Sequence, residues 1–181
     1  MALFRLPLAA PHLVWLALWT AVAVPVGLAN WLATLILGRP PNPLRVFLVA
    51  YVRYVTHAIA FVVLAANPFP GFVGKAGTYP IDLEVDPPAA VRRWKTLVRL
   101  ILLYPTFLLF QIPLRLITFV VYPLIFLYAL VTSLVLGRVT EGGRNLAVYV
   151  IRYEVQEFAY LLCITPRFPY AGPFYGTPRY V

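Results

Sequence analysis

The 181-residue chain is 62% hydrophobic and only 12% charged, and its mean hydropathy is +0.83. A typical soluble domain is roughly 45–50% apolar and about 25% charged. A water-soluble fold of this length would need more polar side chains to cover its surface than the sequence contains. The composition therefore predicts an all-α integral membrane protein.

The net charge is +9 at pH 7, and the 15 lysines and arginines stand mostly at the ends of apolar runs. A nucleic-acid binder would gather such an excess into one basic stripe, so we predict no nucleic-acid partner and expect anionic lipids instead. Cys163 is the single cysteine, which excludes an internal disulfide, and His12 and His57 are too far apart to indicate a metal site. We predict no cofactor, and a bound lipid or pigment stays open.

An internal repeat organises the chain. A Leu-Gly-Arg, an Arg and an Arg-Tyr recur at an offset of 99 residues between Leu37–Tyr54 and Leu136–Tyr153, and 10 of the 34 positions from Leu37 to Pro70 match their partners. Chance would give roughly two or three matches, so the pattern indicates a duplicated unit. We divide the chain into a first helical hairpin (1–78), a linker (79–103) and a second hairpin with an extended C-terminal tail (104–181).

Four apolar runs could form membrane helices, since roughly 20 residues are enough to cross a bilayer. Gly38 and the prolines after it predict a turn between the first two runs. The fourth run carries several charged residues and is a poor lipid-facing span. The sequence thus predicts two tandem helical hairpins with about four membrane helices, over residues 11–37, 44–66, 104–136 and 145–165.

The linker between the hairpins holds two further predicted elements. Residues 79–86 alternate between apolar and acidic side chains, which predicts one short extended strand that pairs, packs on the membrane-proximal surface or remains an extended arm. Residues 89–103 predict a basic amphipathic helix lying on an anionic membrane surface, with a solvated cytoplasmic helix as the alternative. The proposed membrane-surface residues are Arg92, Arg93, Trp94, Lys95 and Arg99.

The distribution of basic residues predicts an orientation. If the termini and the linker share one side, that side holds eight basic residues, against four in the two Gly-Arg turns. Because basic residues accumulate on the cytoplasmic side, both termini are expected to be cytoplasmic.

Several motifs together resemble a known family. The segment from Tyr79 to Pro87 (YPIDLEVDP), with Arg93-Trp94, Arg99, Leu103-Tyr104-Pro105 and Leu136-Gly137-Arg138, resembles a bacterial membrane domain named domain of unknown function four-three-eight-nine. The first unit is similar to the same module without its strand, through Arg5, Pro11-His12 and Leu37-Gly38-Arg39. The resemblance implies a multi-pass helical domain of the bacterial cytoplasmic membrane, and it implies no activity.

Ionisable residues at membrane depth are candidate functional residues, because each costs roughly 2.5–3.5 kcal/mol at a helix centre. Arg53 and Arg152 are equivalent in the repeat, and His57 lies one helical turn after Arg53. Glu154 and Glu157 are the only acids in the apolar runs, which makes them candidate counter-charges for the arginines. A polar stripe on the third run completes the set with Gln111, Arg115, Thr118 and Tyr122.

Two interpretations of these residues remain open. They form either a polar pathway for a proton, an ion or a lipid, or a set of ties between helices. No catalytic set of residues stands out, so we predict that the protein is not an enzyme. The leading hypothesis is a non-catalytic accessory or scaffold subunit of a larger membrane complex that docks through its polar helix faces and its Pro-aromatic tail. Its partners would be other membrane subunits, with a respiratory or photosynthetic assembly as one setting; the alternative is a small oligomeric transporter or channel.

Overall fold

A computed structural model of the protein describes residues 5–85, 87–106, 112–170 and 172, without the side chains of residues 6, 100–106 and 112–118. The predicted all-helical class is confirmed, and the residues so described contain no strand. The five helices are α1 (Arg5–Leu37), α2 (Asn42–Val62), α3 (Arg93–Thr106), α4 (Ile112–Leu136) and α5 (Glu141–Leu161).

Three helices have the length and composition of membrane spans: Pro7–Leu37 in α1, Asn42–Val62 in α2 and Phe119–Leu136 in α4. They support the assignment as a membrane protein. The fourth predicted span corresponds to α5, which is not among the helices that are long and apolar enough to cross a membrane. The charges along α5 explain the difference, and the helix packs against protein, since α2 and α4 both contact it.

The turn between α1 and α2 forms where the sequence predicts it. Gly38 adopts a φ of +73°, and its N–H donates to the carbonyl oxygen of Thr34 at 2.9 Å. A positive φ is costly for residues with a Cβ, which is why glycine suits this position. Pro43 then lies in the first turn of α2, where a missing N–H leaves no hydrogen bond unmade.

Helices α2 and α5 run antiparallel, and their contact forms the centre of the core. Arg45, near the start of α2, donates from Nε to the carbonyl oxygen of Ile164, just after α5, at 3.3 Å. Leu64, just after α2, packs in one cluster with Val139, just before α5. The main buried cluster gathers residues from both helices, including Leu48, Val52, Ile151 and Val155.

This arrangement places the two Gly-Arg turns at opposite ends of the molecule. At one end, the N–H of Val91 donates to the carbonyl oxygen of Gly38 at 2.8 Å; we call it the Gly38 end. At the other end, Gly137 lines the same cavity as Arg5; we call it the Arg5 end. The two turns therefore do not share one end of the molecule, as the count of basic residues had assumed, and the side of the membrane that the termini face stays a prediction.

The segment between α2 and α3 leads from the Arg5 end to the Gly38 end, and its described residues contain no helix or strand. The predicted strand over residues 79–86 is wrong, since none of its described residues, 79–85, is in a strand. The alternation nevertheless predicts which side chains are buried, because Ile81 and Leu83 are buried and Glu84 is exposed. The N–H of Leu83 donates to the side chain of Asp82 at 2.7 Å, so this donor is not available for a strand ladder.

Gly74 allows this segment to lie directly against α2. It has a φ of +58°, and a Cβ there would clash with the carbonyl oxygen of Ala50 and lie 2.9 Å from the nitrogen of Tyr54. Gly77 also has a positive φ, +70°, but nothing lies within 4 Å of a Cβ at that position.

We predict that Gly74→Ala destabilises the protein by about 1–3 kcal/mol more than Gly77→Ala does, because only the first substitution overpacks the contact with α2. Both variants share the cost of a positive φ, so the difference isolates the packing. Thermal unfolding of the purified protein in a mild detergent measures it, and equal midpoints for the two variants would show that the segment does not rest on α2.

Candidate functional site

Arg53 lies on the face of α2 that carries the linker segment. Its Nε donates to Oδ1 of Asp82 at 2.7 Å, and its Nη2 donates to the carbonyl oxygen of Leu83 at 3.0 Å. The side chains of the ion pair are only 14% and 12% exposed, so the pair is largely withdrawn from solvent. The counter-charge of Arg53 therefore comes from the linker and not from the candidate acids of α5.

Asp82 accepts several hydrogen bonds at once. Its Oδ2 accepts from the N–H of Gly77 at 2.6 Å, and its Oδ1 accepts from the N–H of Leu83 at 2.7 Å. Burial by itself would raise the pKa of this carboxyl, yet the two backbone N–H groups and Arg53 hold the pKa below its usual value. Asp82 is therefore an ionised acceptor at neutral pH.

His57 closes the cluster on the buried side. Its Nε2 lies 3.3 Å from Oδ1 of Asp82, and its ring stacks on Tyr79 with centroids 4.7 Å apart. The Tyr79 hydroxyl donates to the carbonyl oxygen of Pro68 at 2.9 Å, and burial raises the pKa of that hydroxyl. These contacts hold Tyr79 against α2 and tie it to Pro68, at the start of the same segment.

Arg152, the repeat partner of Arg53, makes a similar tie on α5. Its Nη2 donates to the carbonyl oxygen of Gly172 at 2.9 Å. Gln156 stands at the position equivalent to His57, and its Oε1 accepts from the N–H of Tyr170 at 2.8 Å. The segment after α5 therefore folds back along α5, as the segment after α2 folds back along α2.

Two of the three acids of α5 are buried, at 7% exposure for Glu154 and 5% for Glu157, whereas Glu141 in its first turn is exposed. The Tyr122 hydroxyl donates to Oε2 of Glu154 at 2.8 Å and so links α4 to α5. Gln111 and the side chains of Arg115 and Thr118 lie outside the described residues. Tyr122 is thus the one member of the predicted polar stripe whose contacts the structure describes, and it forms a tie between helices.

Arginines also occupy the ends of α2 and α5. Arg5 donates from Nη1 to the carbonyl oxygen of Ala66 at 2.8 Å and lies 5.0 Å from the ring of Phe61. Arg99 donates from Nη1 to the carbonyl oxygen of Tyr160 at 3.3 Å and lies 4.3 Å from that residue's ring. A cation at a helix C-terminus is favourable because the last carbonyls there lack partners.

The contact of Arg99 changes the prediction for α3. Four of the five proposed surface residues are exposed, but Arg99 is only 3% exposed because it reaches the end of α5. Helical spacing places Arg99 on the basic face of α3, yet spacing does not tell which part of that face is covered by protein. The exposed residues are Arg92, Arg93, Trp94 and Lys95.

The remaining reactive side chains are buried singly. Nδ1 of His12 lies 2.8 Å from the Tyr54 hydroxyl, and its ring stacks on Phe72 with centroids 4.5 Å apart. Cys163 is buried, and burial raises the pKa of its thiol although Arg99 opposes the shift. Among the described residues, no group of three His, Cys, Asp or Glu side chains could hold a metal ion.

A family model described as "Domain of unknown function (DUF4389)" matches residues 1–73. The match confirms the resemblance seen in the sequence and covers α1, α2 and the first residues after α2. No curated protein and no solved structure gives a significant match to the chain. Arg5, His12, Arg53 and His57 lie within the DUF4389 segment, whereas Asp82 lies beyond it.

Asp82 and Tyr79 were not among the predicted site residues. A signal was present, because the chain has only six acids and a buried arginine needs a counter-charge. The predicted counter-charges, however, were only the acids within the apolar runs. The acid that pairs with Arg53 stands 29 residues away in the linker.

We predict that Asp82→Asn destabilises the protein by about 2–4 kcal/mol at neutral pH, because it leaves Arg53 largely buried without its counter-charge. Glu84→Gln is the matched control: it removes the exposed acid two residues on and should change stability by less than about 0.5 kcal/mol. Unfolding midpoints of both variants in detergent measure the difference.

The stabilisation that Asp82 provides should also decrease at low pH. Because the folded-state pKa of Asp82 is lowered, its stabilisation is fully present above the ordinary aspartate pKa of about 3.9 and is lost as the pH falls through the lowered value. The gap between wild type and Asp82→Asn should stay constant from about pH 7 to about pH 5 and shrink below about pH 4. A gap that does not change with pH would contradict the assignment.

Proposed function

We propose that the chain is a non-catalytic accessory or scaffold subunit of a larger membrane complex. The observation that carries this proposal is how its arginines are used. Five of them, Arg5, Arg45, Arg53, Arg99 and Arg152, donate to main-chain carbonyl oxygens of the same chain. These arginines hold segments of the chain together, as expected in a rigid structural protein. An arginine that is fixed in this way is poorly suited to bind and release a transported substrate.

The surfaces left for partners are apolar and aromatic. Phe168 is 73% exposed and Tyr170 is 53% exposed, and both belong to the segment that folds back along α5. Helix α1 is 33 residues long, about 50 Å at 1.5 Å per residue, and exceeds the roughly 30 Å of the bilayer core. Its exposed side can therefore contact both lipid and other subunits. The proposal keeps docking through the Pro-aromatic tail. It does not keep docking through the polar face of α2 at Arg53, because Arg53 bonds to the linker.

The proposed setting is a bacterial inner membrane crossed by two duplicated, inverted hairpins, with α3 at the surface. The Gly38 end carries six basic residues near it, and the Arg5 end carries Arg5, Arg138 and Arg144. The positive-inside rule then makes the Gly38 end cytoplasmic. This revises the expected orientation, because the N-terminus comes to lie on the opposite side. The six basic residues near the Gly38 end are Arg39, Arg45, Arg92, Arg93, Lys95 and Arg99.

A transporter remains the second candidate, and the antiparallel course of α2 and α5 favours it. Inverted repeats are frequent in transporters, whose substrate sites lie where the repeats meet. The space between α2 and α5 beside Tyr51 and Glu154 measures only about 10 Å³. A single water needs about 10–15 Å³, so this contact is closed to larger substrates in the described part of the chain. The geometry therefore favours the scaffold.

Mild-detergent purification of a tagged chain, followed by native mass spectrometry, tests the proposal. We expect co-purification with a defined set of other membrane subunits, and we expect Phe168→Ala combined with Tyr170→Ala to reduce their recovery several-fold by removing exposed aromatic contacts. Val73→Ala, at another exposed apolar position (71%), should leave recovery unchanged.

The opposite result is equally specific. A homo-oligomer without other subunits that conducts ions or protons in proteoliposomes would contradict the scaffold and establish the transporter.

A further inference from the structure

A basic cavity opens at the Arg5 end, between the start of α1, the loop after α2 and the turn from α4 to α5. Its volume is about 640 Å³, and its lining includes Arg5, Arg138 and Arg144 and, among the described residues, no acid. Small-molecule sites usually measure roughly 300–1,000 Å³. The cavity is therefore large enough for a lipid headgroup.

The equivalent region at the Gly38 end is filled by the protein itself. Asn30 donates from Nδ2 to the carbonyl oxygen of Leu162 at 2.8 Å, and Arg45 donates to that of Ile164 at 3.3 Å. Thr34 is completely buried, and its hydroxyl donates to the carbonyl oxygen of Asn30 at 2.6 Å. Polar side chains thus close the end of α5.

The residues 99 positions later do not close the end of α2 in the same way. Asn30 is replaced by Ala129, which cannot donate, and Thr34 is replaced by Ser133, which lines the cavity. Arg45 corresponds to Arg144, which is exposed on the cavity wall. The cavity therefore exists because this end lacks the side chains that fill the other.

In the part of the chain that the structure describes, the arginines of the cavity wall have no acidic neighbour in the lining. Arg5 donates to Ala66 and Asn67, and these acceptors are a carbonyl and an amide, which carry no charge. Within the described residues, neither Arg138 nor Arg144 forms an ion pair with an acid. An anion bound in the cavity would offset this positive charge, and arginine binds phosphate in a bidentate way.

We propose that this cavity binds the phosphate of an anionic lipid headgroup. The cavity lies at the ends of the membrane helices, where headgroups lie, and basic pockets between helices are known to bind such groups. The last turns of α4 supply the neighbouring apolar surface for acyl chains, since Leu134, Val135 and Leu136 are 59%, 76% and 58% exposed. The ligand class is thus a phosphate-bearing anionic lipid.

Thermal unfolding of the purified full-length chain in a neutral detergent provides the test. Added phosphatidylglycerol should raise the midpoint, whereas phosphatidylcholine should not. Arg138→Gln combined with Arg144→Gln should weaken the apparent affinity for phosphatidylglycerol at least about tenfold. Arg39→Gln combined with Lys75→Gln removes the same charge from exposed positions away from the cavity and from α3 and should leave the affinity unchanged.

A second variant and a second probe make the outcome specific. Ser133→Phe fills the cavity without changing its charge and should also weaken phosphatidylglycerol binding. The same arginine-dependent shift with inorganic phosphate alone would keep the anion site and overturn the lipid as its ligand. The site itself would be refuted if phosphatidylglycerol binds all variants as it binds wild type, or if the variant with Arg39→Gln and Lys75→Gln loses binding equally.

Discussion

The structure depends on one constraint: where a helix or loop ends at membrane depth, its main-chain carbonyls need donors from the protein, because lipid supplies none. In this chain the donors are mostly arginines. Arg5 and Arg99 serve the ends of α2 and α5, and Arg53 and Arg152 hold the segments that follow those helices. Arginine suits this role because it stays charged and presents five donors in a rigid plane.

The antiparallel course of α2 and α5 follows from the same contacts. Arg45 near the start of α2 reaches the chain just after α5, so the beginning of one helix is tied to the end of the other. The segment between α2 and α3 must then return from the Arg5 end to the Gly38 end. Irregular backbone at that depth is tolerated when it is packed against protein, and Gly74, Tyr79 and Asp82 provide the packing on α2.

The helices could be predicted from the sequence because apolar runs and the glycine-proline turn at Gly38 are local signals. The pairing of Arg53 with Asp82 could not, because nothing local shows that the linker folds back on α2. The alternation over residues 79–85 shows which side chains are buried, but it does not show whether their neighbour is a strand or a helix. The grouping of the two turns on one side failed for a related reason: counting charges needs the path of the chain between the helices, and the chain passes from one end at Ala66 to the other at Val91.

The inverted arrangement of the two halves is tested most directly by its two turns. Arg39 and Arg138 are equivalent in the repeat and both exposed, so Arg39→Cys and Arg138→Cys form a matched pair. Wild type, whose single Cys163 is buried, is the unlabelled control. With a membrane-impermeant maleimide on spheroplasts, we expect the cysteine at position 138 to react at once and the one at position 39 to react only after the membrane is permeabilised. Reaction of both cysteines from the same side would contradict the inverted arrangement.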